Sequence, residues 1–156
     1  AQRSDTGQQR RSARVDKLLK REAQAGMLSA EYYTGFQAKI DQIKNNFLAF
    51  LLKAKRQGKT IAAYGAAAKG NTLLNYVGIR PDLISFVIDR NPFKQGKYMP
   101  GSRIPILDES WLRKEKPDYV VILPWNLKVE VMQQLAYVDD WGGQFVTVIP
   151  NIKVQT

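Results

Sequence analysis

Three short segments hold most of the residues that could bind or orient a ligand. The first is Tyr64-Gly65-Ala66-Ala67-Ala68-Lys69-Gly70-Asn71-Thr72. The second runs from Asp89 through Arg90, Asn91, Pro92, Phe93, Lys94, Gln95, Gly96, Lys97, Tyr98, Met99 and Pro100 to Gly101, and the third is Pro124-Trp125-Asn126. The first segment has the physics of a phosphate cradle. Small residues let a phosphate approach the backbone, and N–H groups at a helix start favour an anion. Lys69 adds a point charge, while Asn71 and Thr72 add polar side chains. The Gly65-to-Gly70 spacing imitates a P-loop, but Asn71 stands where a P-loop needs Lys, so ATP hydrolysis is unsupported. A dinucleotide turn needs three glycines at set offsets, and the second and third are read as not in place. The competing reading is a tight strand-to-helix turn built of small residues.

In the second segment, Asp89 lies about 20 residues beyond the glycine loop, where a Rossmann-type acid would accept hydrogen bonds from ribose hydroxyls. Asp also caps loops for structural reasons. Arg90, Lys94 and Lys97 could pair with phosphates. Phe93 and Tyr98 could stack on a base or sugar, or pin a long loop to the domain. Trp125 offers another apolar face, and Asn126 either caps the helix that follows or bonds a ligand.

Composition limits the chemistry further. The 156 residues contain no Cys and no His. That removes disulfides, thiolate chemistry, the usual zinc ligands and imidazole as general base. Any chemistry by the chain alone would fall to Asp, Glu, Lys or Tyr. The formal net charge is +10, and residues 59–103 carry seven basic against two acidic side chains, half of that excess. Such a balance favours anionic partners. No apolar run reaches the roughly 18 residues that a membrane-spanning helix needs. The polar, basic start is unlike a signal peptide. The missing initiator Met suggests a piece of a longer protein, and the absence of Cys is compatible with a cytoplasmic one.

The elements that position these segments follow from periodicity. Residues 1–10 read as a disordered basic tail, and Ser12 to Ala25 as a short helix. Ser29 reads as the N-cap of a long helix whose apolar stripe runs through Tyr33, Phe36, Ile40, Ile43, Phe47, Phe50, Leu51 and Ala54 to a stop at Gly58. Residues 11–58 thus form a helical linker, with the long helix packing on the domain at 59–156. There the pattern changes to strands at Ile61–Tyr64, Leu83–Ile88, Ile104–Ile106, Tyr119–Leu123 and Phe145–Ile149. Helices are expected at Asn71–Val77, from Asp108 through Leu112, and at Leu127–Tyr137. Near-continuous apolar strands alternating with helices predict an α/β domain, a mostly parallel sheet covered on both faces. In such a sheet ligands bind beyond the carboxyl ends of the strands, where all three segments fall.

The stretches TIAAYGAAAKGNTLLNYVGI, FVIDRNPFKQGKYMPGSRIPI and DYVVILPWNLKVEV resemble the carboxy-terminal domain of bacterial S-adenosylmethionine-dependent sugar C-methyltransferases. The resemblance runs from about Gly26 to Val154; Ala62 and Ala63 depart from it where a Gly often precedes the motif's Tyr. It implies a Rossmann-like three-layer end domain, preceded by a zinc-binding domain and a central domain that holds S-adenosylmethionine. It implies a nucleotide-linked 4-keto-6-deoxy sugar as substrate, methylated at a ring carbon by the central domain. This end domain would help to hold the nucleotide sugar at the cleft facing that central domain. Lys69, Gly70, Asn71 and Thr72 match the family's phosphate-side motif. Asp89, Arg90, Asn91, Pro92, Lys94, Gln95, Gly96 and Lys97 match its second motif, and Pro124, Trp125 and Asn126 its third. Tyr64, Gly65 and Tyr98 complete the candidate substrate-binding set. No methyl-donor fingerprint or zinc cluster lies in this chain, so catalysis is expected of the full-length protein and not of these residues alone.

Three rivals remain from the residues themselves. A stand-alone binder of another nucleotide cofactor would use the same loop. A nucleic-acid module would use the +10 charge, although no helix-turn-helix, zinc-finger or RNA-recognition pattern supports it. A structural or oligomerisation domain would use the long helix.

Overall fold

The structure is a computed structural model that describes residues 3, 5, 7 and 11–155. Most of the expected disordered tail, 1–10, lies outside the described residues. The chain divides into two compact units, Ala1–Ile40 and Asp41–Thr156.

The first unit contains α1 (Ala13–Gln24) and a single turn, α2 (Glu31–Thr34). Gly35 separates α2 from α3 (Phe36–Arg56). The helix expected from Ser29 onward is therefore broken: Ala30 precedes α2 with no side-chain cap, and Gly35 interrupts the stripe at a ψ of 3°. Tyr33 and Phe36 are exposed, while Phe47, Leu51 and Ala54 in the second unit are buried. Fully burying side chains such as Phe47 and Leu51 contributes about 1.5–3 kcal/mol each.

The second unit is built on one six-stranded sheet. Its strands are β1 (Ile61–Tyr64), β2 (Val87–Ile88), β3 (Ile106–Leu107), β4 (Tyr119–Ile122), β5 (Gln144–Thr147) and β6 (Lys153–Gln155). They lie in the order β3-β2-β1-β4-β5-β6, with β1 to β5 parallel and β6 antiparallel to β5. Connections leave β1 in one direction to β2 and β3 and then cross back to β4. The sheet order therefore reverses between β1 and β4.

Alternation along β1 assigns the two faces. Ile61 and Ala63 join Phe47, Leu51, Leu74, Ile84, Ile104 and Val121 in one cluster, under α3 and α4 (Ala68–Val77). Ala62 and Tyr64 join Leu112, Ile122, Val131, Leu135 and Val138 in the other. That face is covered by α5 (Ser110–Glu115), α6 (Lys128–Gln134) and the 3-10 turn Ala136–Trp141. With helices on both faces, the central strands have no polar side to show, and all four residues of β1 are buried.

Several elements differ from the expected ones: β3 is Ile106–Leu107 and not Ile104–Ile106, β5 stops at Thr147, and the helix expected at Leu127–Tyr137 ends at Gln134 and passes into a 3-10 turn. Three further differences are local. β2 is shorter, because the amides of Leu83 and Ile84 turn back onto Arg80 O (3.0 and 3.2 Å) and never reach the ladder. α4 starts at Ala68, three residues before the expected Asn71, so Ala68, Lys69 and Gly70 are helix and not loop. β6 went unread: after Pro150, Lys153 and Val154 are exposed and give no apolar run.

Candidate binding cleft

Gly65 ends β1 at φ +95°, a conformation that suits glycine. Its backbone lies against Pro124: a Cβ at Gly65 would stand 2.6 Å from Pro124 Cδ. Pro124 thus packs directly on Gly65, just beyond the carboxyl ends of β1 and β4. The chain then rises through Ala66 and Ala67 into α4, whose first intrahelical bond runs from Asn71 N–H to Ala67 O (2.9 Å). The amides of the preceding turn are left without helix partners. Gly70 lies within α4 against β4's end, where a Cβ would meet Leu123 Cβ at 2.7 Å.

These positions correct the reading of the glycine pattern. Gly65, Ala67 and Gly70 occupy the three offsets of a dinucleotide turn. Only the middle glycine is replaced. Gly65 makes the tight turn, and Gly70 gives the close helix–strand contact expected of the third glycine. The signal was present in the sequence as an offset of two and five residues from Gly65.

Asp89 ends β2 and is 9% exposed. Its Oδ2 accepts from Ala66 N–H (2.8 Å) and pairs with Lys94 Nζ (3.0 Å), and its Oδ1 accepts from Asn91 N–H (2.9 Å). Lys94 Nζ also donates to Ala66 O (2.8 Å). Both polar groups of Ala66 are therefore held by one ion pair from the neighbouring loop. Gln95 Nε2 donates to Asp89 O, Asn91 Oδ1 accepts from Phe93 N–H, and Gly96 N–H donates to Ile106 O at φ +75°. These bonds order the long loop.

Between the two loops lies a cleft of about 440 Å³. Ala66, Ala67, Ala68 and Asn71 form one wall; Phe93, Lys94, Lys97, Tyr98, Met99 and Pro100 form the other, over Ile106. Phe93 and Tyr98 are 81% and 65% exposed. Lys97 makes no ion pair with any described residue. Asn75, which the sequence reading passed over, fixes the wall spacing: its Nδ2 donates to Asn71 O and to Pro100 O (both 2.9 Å).

The remaining candidates stand outside this lining. Lys69 Nζ donates to Asn126 Oδ1 (2.7 Å) and lies 5.0 Å from the Trp125 ring centroid, so these three form a separate cluster. Thr72 Oγ1 bonds back to Ala68 O (3.1 Å). Arg90 and Tyr64 both donate to Gln134 Oε1 (3.2 and 3.4 Å), on the α6 face. Burial raises the Tyr64 phenol pKa above its ordinary value, with Arg90's charge opposing. Burial, and then the bond to Glu109 (2.8 Å), raise Tyr137 further. Both phenols are proton donors at neutral pH. A second hollow, of about 460 Å³, is lined by Thr60, Ile61, Ser85, Phe86, Trp111 and neighbours. It lies at the amino ends of β1 and β2, and none of the candidate substrate-binding residues lines it.

No helix among the described residues is long and apolar enough to cross a membrane. The sequence profile described as "C-methyltransferase C-terminal domain" matches residues 1–150. The C-methyltransferase NovU of Streptomyces niveus is 32% identical over 140 residues, which cover 90% of this chain. The chain spans only 33% of that relative's length. With a profile that covers nearly the whole chain, the protein belongs to the C-methyltransferase C-terminal domain family.

Proposed function

We propose that this is the Rossmann-like, nucleotide-sugar-binding end domain of an S-adenosylmethionine-dependent C-methyltransferase, and that the cleft between the Gly65–Asn71 turn and the Phe93–Pro100 loop takes the nucleotide part. One arrangement carries the reading. Ala68, the first residue of α4 and one of the helix start's orphan amides, lines the same 440 Å³ space as Lys97, which has no ion-pair partner among the described residues, and the exposed rings of Phe93 and Tyr98. Amides and ammonium suit a diphosphate. The rings suit a base. Lys69, Trp125 and Asn126 form a second polar surface, which suits the sugar or the central domain.

The methyl donor and zinc belong, in this reading, to parts of the full-length protein beyond these residues. The donor sets argue for it: without Cys or His the chain has no thiolate or imidazole for zinc. Asp89, the acid best placed for a cofactor ribose, is bonded within the protein. The chain's part is to bind and orient; the central domain, a partner in the same polypeptide, performs transfer to a ring carbon of the keto-deoxy sugar. A cytoplasmic location fits that supply of substrate and donor. The Gly65–Ala67–Gly70 pattern lends some support to a nicotinamide cofactor instead, but Ala67 stands where such a turn has the glycine that lets the backbone approach the pyrophosphate, and Asp89 is bonded within the protein.

The test uses full-length protein and labelled S-adenosylmethionine. A nucleotide-linked 4-keto-6-deoxy sugar should be methylated, and the same sugar without its nucleotide should not. Equal transfer to both would refute a nucleotide-binding role.

A further inference from the structure

We infer that Asp89 is a positioning residue and that the cleft binds its nucleotide without reading the ribose 2′-hydroxyl. The inference rests on the proposed nucleotide site and adds what that site does and does not recognise. In a Rossmann-type site, the acid at the end of the second strand accepts from the ribose 2′-hydroxyl. Here the acid is present at the right place, and three donors of the chain already use it: Ala66 N–H, Asn91 N–H and Lys94 Nζ. An ionised carboxylate has roughly four acceptor positions. The one left belongs to a residue that is 9% exposed. Asp89 does not line the cleft, whereas Lys94 does.

The geometry gives Asp89 a different task. With Lys94 it captures both the N–H and the C=O of Ala66, which fixes the turn between Gly65 and the start of α4. Asp89 thereby holds the small-residue wall in register with the Lys94–Lys97 wall. A ribose hydroxyl in the cleft would find three of the four acceptor positions taken and the fourth on a side chain outside the lining. Ribo- and deoxyribonucleotides should therefore be held equally.

Uridine diphosphate and 2′-deoxyuridine diphosphate differ only at that hydroxyl. Calorimetric titration of the chain should give dissociation constants within about threefold of each other, with amide shifts at Ala66–Asn71 and Phe93–Tyr98 for both. A preference for uridine diphosphate of roughly tenfold or more, the size of a lost bond to a charged group, would overturn the inference and leave the nucleotide site standing. Failure of either ligand to shift cleft amides would overturn both. Asp89→Asn supplies a second readout. It should weaken the two ligands by the same factor and move the Ala66 and Asn91 amide resonances in the free protein. A larger loss for uridine diphosphate than for its deoxy form would show that the carboxylate reads the sugar. Should the variant not fold, the comparison of the two ligands on the unaltered chain still decides.

Discussion

Gly70→Ala pits two effects of known size against each other. Within α4 the substitution gains about 0.8–1 kcal/mol of helix propensity. Against that, the new Cβ would stand 2.7, 3.0 and 3.3 Å from Leu123 Cβ, Cδ1 and Cγ. The nearest atom is Cβ, which cannot swing away as a side-chain tip can, and Leu123 is 1% exposed. Overpacking of this kind costs about 1–3 kcal/mol, and the rigid contact puts it in the upper part of that range. The net effect is a loss of about 1–2 kcal/mol. At about 2–4 °C per kcal/mol for a chain of this size, Tm falls by about 2–8 °C. Thermal unfolding followed by circular dichroism measures it. Because α4 must shift to relieve the contact, Ala66–Ala68 should move too, and nucleotide affinity should fall with stability. An unchanged or higher Tm would refute the claim that Gly70 is required by the approach of α4 to the end of β4.

Gly35→Ala should act in the opposite direction. Gly35 has φ −88° and open space around its missing Cβ, so the change should gain about 0.4–1 kcal/mol, read as higher helicity of Glu31–Arg56. Lys97→Ala should raise the nucleotide dissociation constant roughly ten- to hundredfold, as loss of a charge-assisted contact worth about 1.5–3 kcal/mol requires; unchanged affinity would remove Lys97 from the site. Asp118 predicts a pH dependence. Burial pushes its carboxyl up, but the bonds from Lys59 Nζ (2.8 Å), Thr60 N–H (2.8 Å) and Thr60 Oγ1 (3.0 Å) outweigh it, and its pKa lies below the ordinary value. A folded-state pKa below the unfolded one contributes stability above the unfolded value, lost as pH falls through the folded one. Asp118→Asn should therefore cost about 1 kcal/mol at pH 7, after allowance for solvent screening. The gap from the unaltered protein should close between about pH 5 and pH 2 in urea titrations.

Much of the sheet was legible because β1 and β4 are short, wholly apolar runs and β5 lies in a mostly apolar one, punctuated by Gly65, Pro124 and Pro150. The parallel arrangement followed from that apolarity, since only strands covered on both faces lack a polar side. What escaped the sequence was tertiary. Leu83 and Ile84 are as apolar as any strand, but Pro81 starts a turn that takes their amides back to Arg80. β6 is held by its neighbour and not by its composition. The long helix reads as continuous because Gly35 costs a helix only about 1 kcal/mol, too little to mark a break in advance.

The cleft was half legible. The three motif segments do sit at strand ends, and Asn71, Lys94, Lys97 and Tyr98 line one space. Spacing could not tell which way each side chain turns. Arg90 and Tyr64 go to Gln134 across the sheet, and Lys69 goes to Asn126. Nor could it tell that Asp89 would be spent on Ala66, because that depends on two loops meeting. Ala67 at the middle glycine offset hid a pattern that Gly65 and Gly70 otherwise keep.

The central claim is that this domain holds a nucleotide in the cleft between the α4 start and the Phe93–Pro100 loop. An isotope-edited NMR titration of the chain with thymidine and uridine diphosphates and their glucose adducts tests it most directly. The account predicts saturable shifts at Ala66–Asn71 and Phe93–Tyr98, from the diphosphates and the adducts alike, with additional shifts at Lys69, Trp125 and Asn126 from the sugar. Saturable shifts around Phe86 and Trp111 with a silent cleft would contradict it, as would no shift anywhere at millimolar ligand.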